Sequence, residues 1–204
     1  DADLTDTDLA GADLSGVLLY GTNLHDADLS NADLSSAQIN NVNLSDADLT
    51  NANLMWMFMY NTNLTGADLT DAELAGSGSL QLIGCPDLLP TDWNCRHNSL
   101  FGPTAHFGYT DLVGFDLSDI NLTYIFMMGA DLTGADLSDS DLTGADLSFA
   151  DLSNVDLQNA DLSNANLYDA DLTDAELTNV YWYDTTCPDG SNSDENGFTC
   201  VNNL

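Results

Sequence analysis

Few side chains in this sequence could do chemistry, and they fall into two kinds. The first kind is thiol and imidazole: cysteines in two local pairs, Cys85/Cys95 and Cys187/Cys200, and the histidines His25, His97 and His106. Cys85, Cys95, His97 and His106 could hold zinc, which takes thiolate and imidazole ligands. The Cys-x9-Cys spacing matches no common zinc knuckle, so a disulfide is the favoured reading. An even cysteine count in tight pairs also suits an oxidising compartment. No Ser or Cys stands beside a His in a recognisable nucleophile arrangement, and the chain is expected not to be an enzyme.

The second kind is carboxylate. The sequence holds 34 acidic residues against one basic residue, Arg96, for a net charge of −33. Series such as Asp116/Asp136/Asp156 and Asp131/Asp151/Asp171 recur at intervals of 20 residues. If stacked, they would form ladders of like charge that protons or cations must relieve. No cofactor is required, but calcium or sodium on the acidic surface is expected to help, because hard cations prefer oxygen ligands. The stretch 192–197 resembles the front half of a calcium loop, with Asn192, Asp194 and Asn196 as candidate ligands, though it lacks the closing glutamate. Direct nucleic-acid binding is excluded for want of Lys and Arg. Cations and basic surfaces are the natural partners.

No run approaches the roughly 18 apolar residues of a membrane span. The chain starts at Asp1 without Met, which is read as a leader removed and an extracellular or periplasmic location.

These groups are carried by a five-residue unit, Ala-Asp/Asn-Leu-Ser/Thr-x. Residues 2–76 contain fifteen units in unbroken register, centred from Leu4 to Leu74 with Ile39 and Met59 among them. Residues 77–109 break the pattern with glycines, prolines and the first cysteine pair. The period resumes at Leu112 and runs through Leu177, with Trp182 as a possible last centre, before a polar tail from residue 184. A period of five matches neither a helix nor a two-sided strand. Something must turn the chain every five residues.

The units resemble the pentapeptide-repeat family over about three quarters of the chain. The resemblance implies an all-β, right-handed quadrilateral β-helix with four pentads per coil and about seven coils. It places the central Leu and the residue two before it inside, and the other three outside. The expected organisation is a first block at 1–76, an irregular insertion at 77–109, a second block at 110–183 stacked on the first, and a tail at 184–204. The tail resembles disulfide-bearing extensions of secreted members of the family. Tyr181, Trp182 and Tyr183 are expected to lie over the last coil, whereas no sequence for an N-terminal cap precedes the first pentad.

Departures from so regular a template are informative. Outward positions normally Asp and Ser become Leu18 and Tyr20 in the fourth pentad and Phe58 and Tyr60 in the twelfth. Eight pentads apart, they share one face, and Met55 and Trp56 extend it round a corner. Phe126 and Met128 repeat the departure in the second block, with Tyr168 on the same face two coils later. Such a patch should have a partner: the insertion folded back over it, or another chain. The leading reading is a non-enzymatic extracellular structural or interaction protein that self-associates, head-to-tail or through this face, as dimer or filament. The family resemblance supplies one alternative, an acidic mimic of DNA that binds a type II topoisomerase. A calcium-dependent extracellular binding module is another.

Overall fold

A computed structural model describes residues 2–201, in two compact units, Asp1–Phe101 and Gly102–Leu204. In both, most of the described pentads make the same local choice. The residue two after the central Leu has positive φ, for example +58° at Asn31 and +58° at Asn154. The amide of the next residue donates back to the Leu carbonyl, as from Ala32 to Leu29 (3.0 Å) and from Ala135 to Leu132 (2.9 Å). That is the geometry of a type II turn, which explains why Asn, Asp and Gly dominate the fifth place of the unit.

The Asp before each Leu has its own local task. Its Oδ1 accepts the amide two residues on, as from Thr133 to Asp131 (3.1 Å), and often the Ser or Thr hydroxyl there as well, as from Thr133 to Asp131 (2.6 Å). Carboxylate, leucine and hydroxyl therefore form one turn cassette.

Cassettes 20 residues apart then pair in parallel. In the first unit the columns are Asp3–Asn23–Asn43–Asn63, Asp8–Asp28–Asp48–Asp68 and Asp13–Asp33–Asn53–Glu73. The fourth side is a parallel sheet of β1 (Leu18–Tyr20), β2 (Gln38–Asn40), β3 (Phe58–Tyr60) and β4 (Gly78–Leu80), in that order. Leu18 pairs with Gln38, Gln38 with Phe58 and Phe58 with Gly78. The second unit has columns Asp111–Asp131–Asp151–Asp171, Asp116–Asp136–Asp156–Glu176 and Asn121–Asp141–Asp161–Tyr181, and a fourth from His106 through Phe126, Asp146 and Asn166 to Thr186. The inward residues are sealed: Leu29, Leu49, Leu69, Leu132 and Leu152 have no exposure. Among the described residues no buried side-chain polar atom lacks a partner, as hydroxyls at inward positions donate to carbonyls, Ser140 to Leu137 (2.6 Å) and Thr185 to Leu162 (2.8 Å).

The segment 77–109 differs from the expected single insertion. It does not end the coil: the amides of Ile83 and Asp87 donate to Thr62 and Ala67, and Asn63 pairs with Gly84 and Asp68 with Leu88. One extra residue before Gly84, absorbed again by Leu88, hides the period from the eye. The chain then forms the antiparallel pair β5 (Asn94–Arg96) and β6 (Ser99–Phe101). Leu89, Trp93, Cys95 and Leu100 pack against the first unit's core, and the Leu100 amide donates to Ser79 Oγ (2.6 Å). The rest of the segment belongs to the second unit, where Ala105 and buried Phe107 form a pentad ahead of Leu112.

The other end also differs. Trp182 is buried at a pentad centre, while Tyr181 and Tyr183 point outward at 64% and 62% exposure rather than lying over a coil. A further pentad follows, with buried Thr185 and Cys187 in the inward places. The tail returns through a short 3-10 helix, Ser193–Asn196. Its buried Ser193 donates its amide to the Thr185 carbonyl, accepts the Thr185 amide on its Oγ, and donates its hydroxyl to the Trp182 carbonyl.

Candidate functional site

The surface that stands apart is the β1–β4 side of the first unit. Its outward residues are Leu18, Gln38 and Phe58 in one row, ended by buried Gly78, and Tyr20, Asn40 and Tyr60 in the next, ended by half-buried Leu80. The corners that flank it are Gly16, Ser36, Trp56 and Gly76 on one edge and Gly21, Asn41, Asn61 and Gln81 on the other. In a chain with 34 acidic residues, none of these positions is charged. Leu18, Tyr20, Phe58 and Tyr60 are 45–59% exposed. The 77–109 segment therefore does not cover them, although its own Leu82 and Leu100 are buried and its Ile83 and Leu88 face outward. Met55, expected as an extension of the patch, is only half-exposed.

Trp56 occupies the fifth place of its pentad at φ +58°, a conformation that is an outlier for a bulky side chain. Its ring lies over Gly76 one coil on, where a Cβ would collide with the indole. The second unit repeats the device: Tyr109 lies over Gly129 and Tyr124 over Gly144, both tyrosines at positive φ. Phe149, also at positive φ, meets Tyr168 edge-on at 5.6 Å. Tyr109, Tyr124, Phe149 and Tyr168 are 44–74% exposed. Of the residues expected on this side, Phe126 and Met128 are half-buried, and the Phe126 ring packs on His106 at 4.6 Å. Tyr109, Tyr124 and Phe149 were not among the expected surface residues. They could have been found by aligning fifth places, where Asp, Asn or Gly is the rule and an aromatic ring opposite a glycine 20 residues later is not.

The remaining candidates have structural partners. Cys85 bonds Cys95 and Cys187 bonds Cys200, with Cα separations of 5.9 and 5.3 Å. This overturns zinc on Cys85 and Cys95, whose sulfurs are joined and cannot ligate as thiolates. Asn192, Asp194 and Asn196 sit together but turn their side chains to the tail itself. Asn192 accepts from the Asp194 amide (2.9 Å) and donates to Asp184 (2.7 Å). Asp194 accepts from the Asp184 amide (2.9 Å), and Asn196 donates to Ser191 Oγ (2.6 Å).

Hydroxyl donation, then amide donation, holds the carboxyls of Asp3, Asp13, Asp28, Asp131 and Asp171 below the ordinary carboxylate range. Where Asn enters a column it adds a rung: Asn43 Nδ2 donates to Asn23 Oδ1 (2.8 Å) and Asn63 to Asn43 (3.0 Å).

Columns of turn cassettes on a leucine interior define a four-sided β-helix built from pentapeptides. The chain belongs to the family described as Pentapeptide repeats, which it matches over residues 1–35, 19–54, 27–66, 47–77, 110–148 and 145–181. Solved structures similar to it include HetL, a pentapeptide repeat protein involved in heterocyst differentiation regulation from the cyanobacterium Nostoc sp. strain PCC 7120. It is 30% identical over 93% of this chain and 88% of that one, with a TM-score of 0.28. A second Nostoc pentapeptide repeat protein, alr5209, is 38% identical over 39% of this chain and 68% of its own, with a TM-score of 0.38. A trypsin-treated form of QnrB1, a plasmid-mediated fluoroquinolone resistance protein, is 19% identical over 88% of this chain and 90% of its own, with a TM-score of 0.48. No curated protein matches the sequence. Among the described residues no helix is long and apolar enough to cross a membrane.

Proposed function

We propose that this chain is a non-enzymatic, extracellular interaction protein that associates with a second copy of itself through the β1–β4 side of its first unit. The observation that carries this reading is the sweep of carboxylates off that one side. Two copies with a net charge of −33 repel each other wherever their acidic columns meet. Only a side free of charge allows them to approach, and this one offers Leu18, Phe58, Tyr20 and Tyr60 in two rows for burial. Two disulfides that use all four cysteines support an oxidising location.

Salt separates the possible partners. Self-association of like-charged copies strengthens as salt screens their repulsion, whereas docking of a cationic partner weakens. Sedimentation velocity from 1 to 100 µM at about 50 and 500 mM NaCl is expected to show a dimer or larger species that grows with salt. Phe58→Asp combined with Tyr20→Asp, both at exposed positions, should leave circular dichroism unchanged and abolish association. A monomer at every concentration and salt level would overturn the reading. Inhibition of gyrase supercoiling by that monomer would instead support the topoisomerase alternative.

A further inference from the structure

The second unit has a carboxylate-free stretch of its own, on the side whose column runs from His106 through Phe126 to Asp146. Tyr109 and Tyr124 stand at its two corners: the chain turns onto this side after Tyr124 and leaves it, one coil earlier, at Tyr109. Both occupy fifth places at positive φ, where Asn, Asp or Gly is the rule and a ring is strained. The turn itself therefore does not call for an aromatic residue at either corner. Each ring is set against a glycine of the next coil, since a Cβ at Gly129 would come within 2.6 Å of Tyr109 and one at Gly144 within 2.5 Å of Tyr124. Even so the two residues are 74% and 64% exposed, so the rest of each ring faces solvent.

We infer that these two rings, with the carboxylates beside them, bind an arginine-bearing segment of a basic protein partner. The flanking columns supply the charge argument. Beyond Tyr109 runs the wholly acidic column Asp111–Asp131–Asp151–Asp171, and before Tyr124 lies Asn121–Asp141–Asp161–Tyr181. The first unit's neutral side is bordered on one edge by the amides of Asn23, Asn43 and Asn63 instead. An amide border adds no repulsion toward a second copy. Acidic borders repel a copy of net charge −33 and attract a cationic partner.

The pairing of ring and carboxylate selects the kind of cation. Asp131 and Asp141 use Oδ1 for their own turns, accepting the Thr133 and Thr143 amides, which leaves Oδ2 for an outside donor. A guanidinium is planar and weakly hydrated, stacks on an aromatic face and still directs N–H donors sideways to a carboxylate. An ammonium is a strongly hydrated point charge that gains less from the ring. The chain's single basic residue is Arg96, in β5 of the first unit. A second copy therefore offers one such group, and a basic partner several.

The site lies in the second unit and does not depend on self-association through the first. Salt distinguishes the two, because this contact weakens as salt rises and self-association strengthens.

The test is titration of the full chain with octa-arginine and with octalysine, followed by calorimetry and NMR in about 150 mM NaCl. Octa-arginine is expected to bind more tightly than octalysine and to shift the Tyr109 and Tyr124 ring protons. Tyr109→Asn combined with Tyr124→Asn restores a usual residue of the fifth place, so the fold is expected to hold, as circular dichroism checks. It should weaken octa-arginine binding roughly 5- to 30-fold, the effect of two exposed cation–π contacts, and octalysine binding by less. Asp131→Asn combined with Asp141→Asn should weaken both peptides. Equal affinity for the two peptides, unmoved ring signals, or octa-arginine affinity in the tyrosine variant within about twofold of the parent would each overturn the proposal and leave only general attraction to a polyanion. So would the absence of peptide binding. Ring shifts produced by a neutral oligosaccharide and not by octa-arginine would overturn it as well, giving the rings to a sugar.

Discussion

The first and second units use one cassette and one interior, yet their outsides have diverged. The first has given a whole side to uncharged residues and broken one acidic column with Asn23, Asn43 and Asn63. The second keeps two columns wholly acidic, Asp111 to Asp171 and Asp116 to Glu176, and places Tyr109, Tyr124 and Phe149 at corners. Fold and surface are therefore separable in this architecture. The inward Leu and the turn set the coil, and the three outward places are free to carry charge, rungs or rings. Each unit also closes in a similar way, with a non-repeat segment held by a disulfide, Cys85–Cys95 in one and Cys187–Cys200 in the other.

The largest test of that separation is to place a charge inside each unit. Ile39 behind the neutral side and Leu132 behind an acidic column are both fully buried. Ile39→Asp and Leu132→Asp should each cost about 3–5 kcal/mol, because an unpaired carboxylate is then buried in an apolar tube. Thermal unfolding followed by circular dichroism measures both. If one variant is tolerated and the other is not, the two interiors are not equivalent and the comparison fails.

Next come the disulfides. The loops they close are short, with sequence separations of 10 and 13 residues, for which chain entropy gives about 3 kcal/mol each. Paired Cys→Ser substitutions at either bridge should lower stability by similar amounts. A much larger loss at 187/200 would mean that buried Cys187, which sits at a pentad centre, matters more for packing than for closure.

How much of this could be read from residues alone follows from what sets the period. The leucine frame from Leu4 to Leu74 and from Leu112 to Leu177 was legible because every inward place repeats a residue type. Its consequence, that Leu18, Phe58, Tyr20 and Tyr60 share a side, follows from counting coils. What was not legible is where other side chains take over the inward places. Phe107 and Cys187 fill the leucine position at the block ends, beyond the Trp182 centre that the period did indicate, and a one-residue slip before Gly84 conceals a coil that backbone pairing continues. The seating of rings over Gly76, Gly129 and Gly144 was missed for a different reason, even though Trp56 itself was expected at the surface. It depends on a match between two fifth places 20 residues apart, which a linear reading of one pentad does not show.

The acidic columns supply a smaller effect with a definite sign. Asp151→Asn puts an amide between Asp131 and Asp171, where it can donate as Asn43 does to Asn23 at 2.8 Å. Removing one charge from a like-charged column and adding a rung should raise Tm by about 1–3 °C at low salt. The gain should shrink at high salt as the repulsion is screened. Gln38→Asn on the first unit's neutral side offers an amide in the same place of a pentad but removes no charge and should do nothing, so a salt-independent gain from Asp151→Asn would show that the rung and not the charge is responsible.

The smallest effect is the hydroxyl of a single cassette. Thr133 donates its hydroxyl and its amide to Asp131, and these bonds hold that carboxyl below its ordinary value of 3.8. Thr133→Val keeps the shape and the amide bond but removes the hydroxyl, so the Asp131 value should rise back toward the ordinary one, as read from its side-chain carbon resonance against pH. The sign for stability follows. A carboxyl whose folded value is depressed contributes at and above the unfolded value, and the contribution disappears as pH falls through the folded value. The parent should therefore lose Tm below about pH 3.8 as Asp131 and Asp171 take up protons, and Thr133→Val should lose less over that window. A Tm that instead climbs as the pH drops from 4 to 2.5 would show that relief of repulsion along the columns outweighs the turn bonds. The acidic side of the second unit would then be held against its own charge by the leucine interior alone.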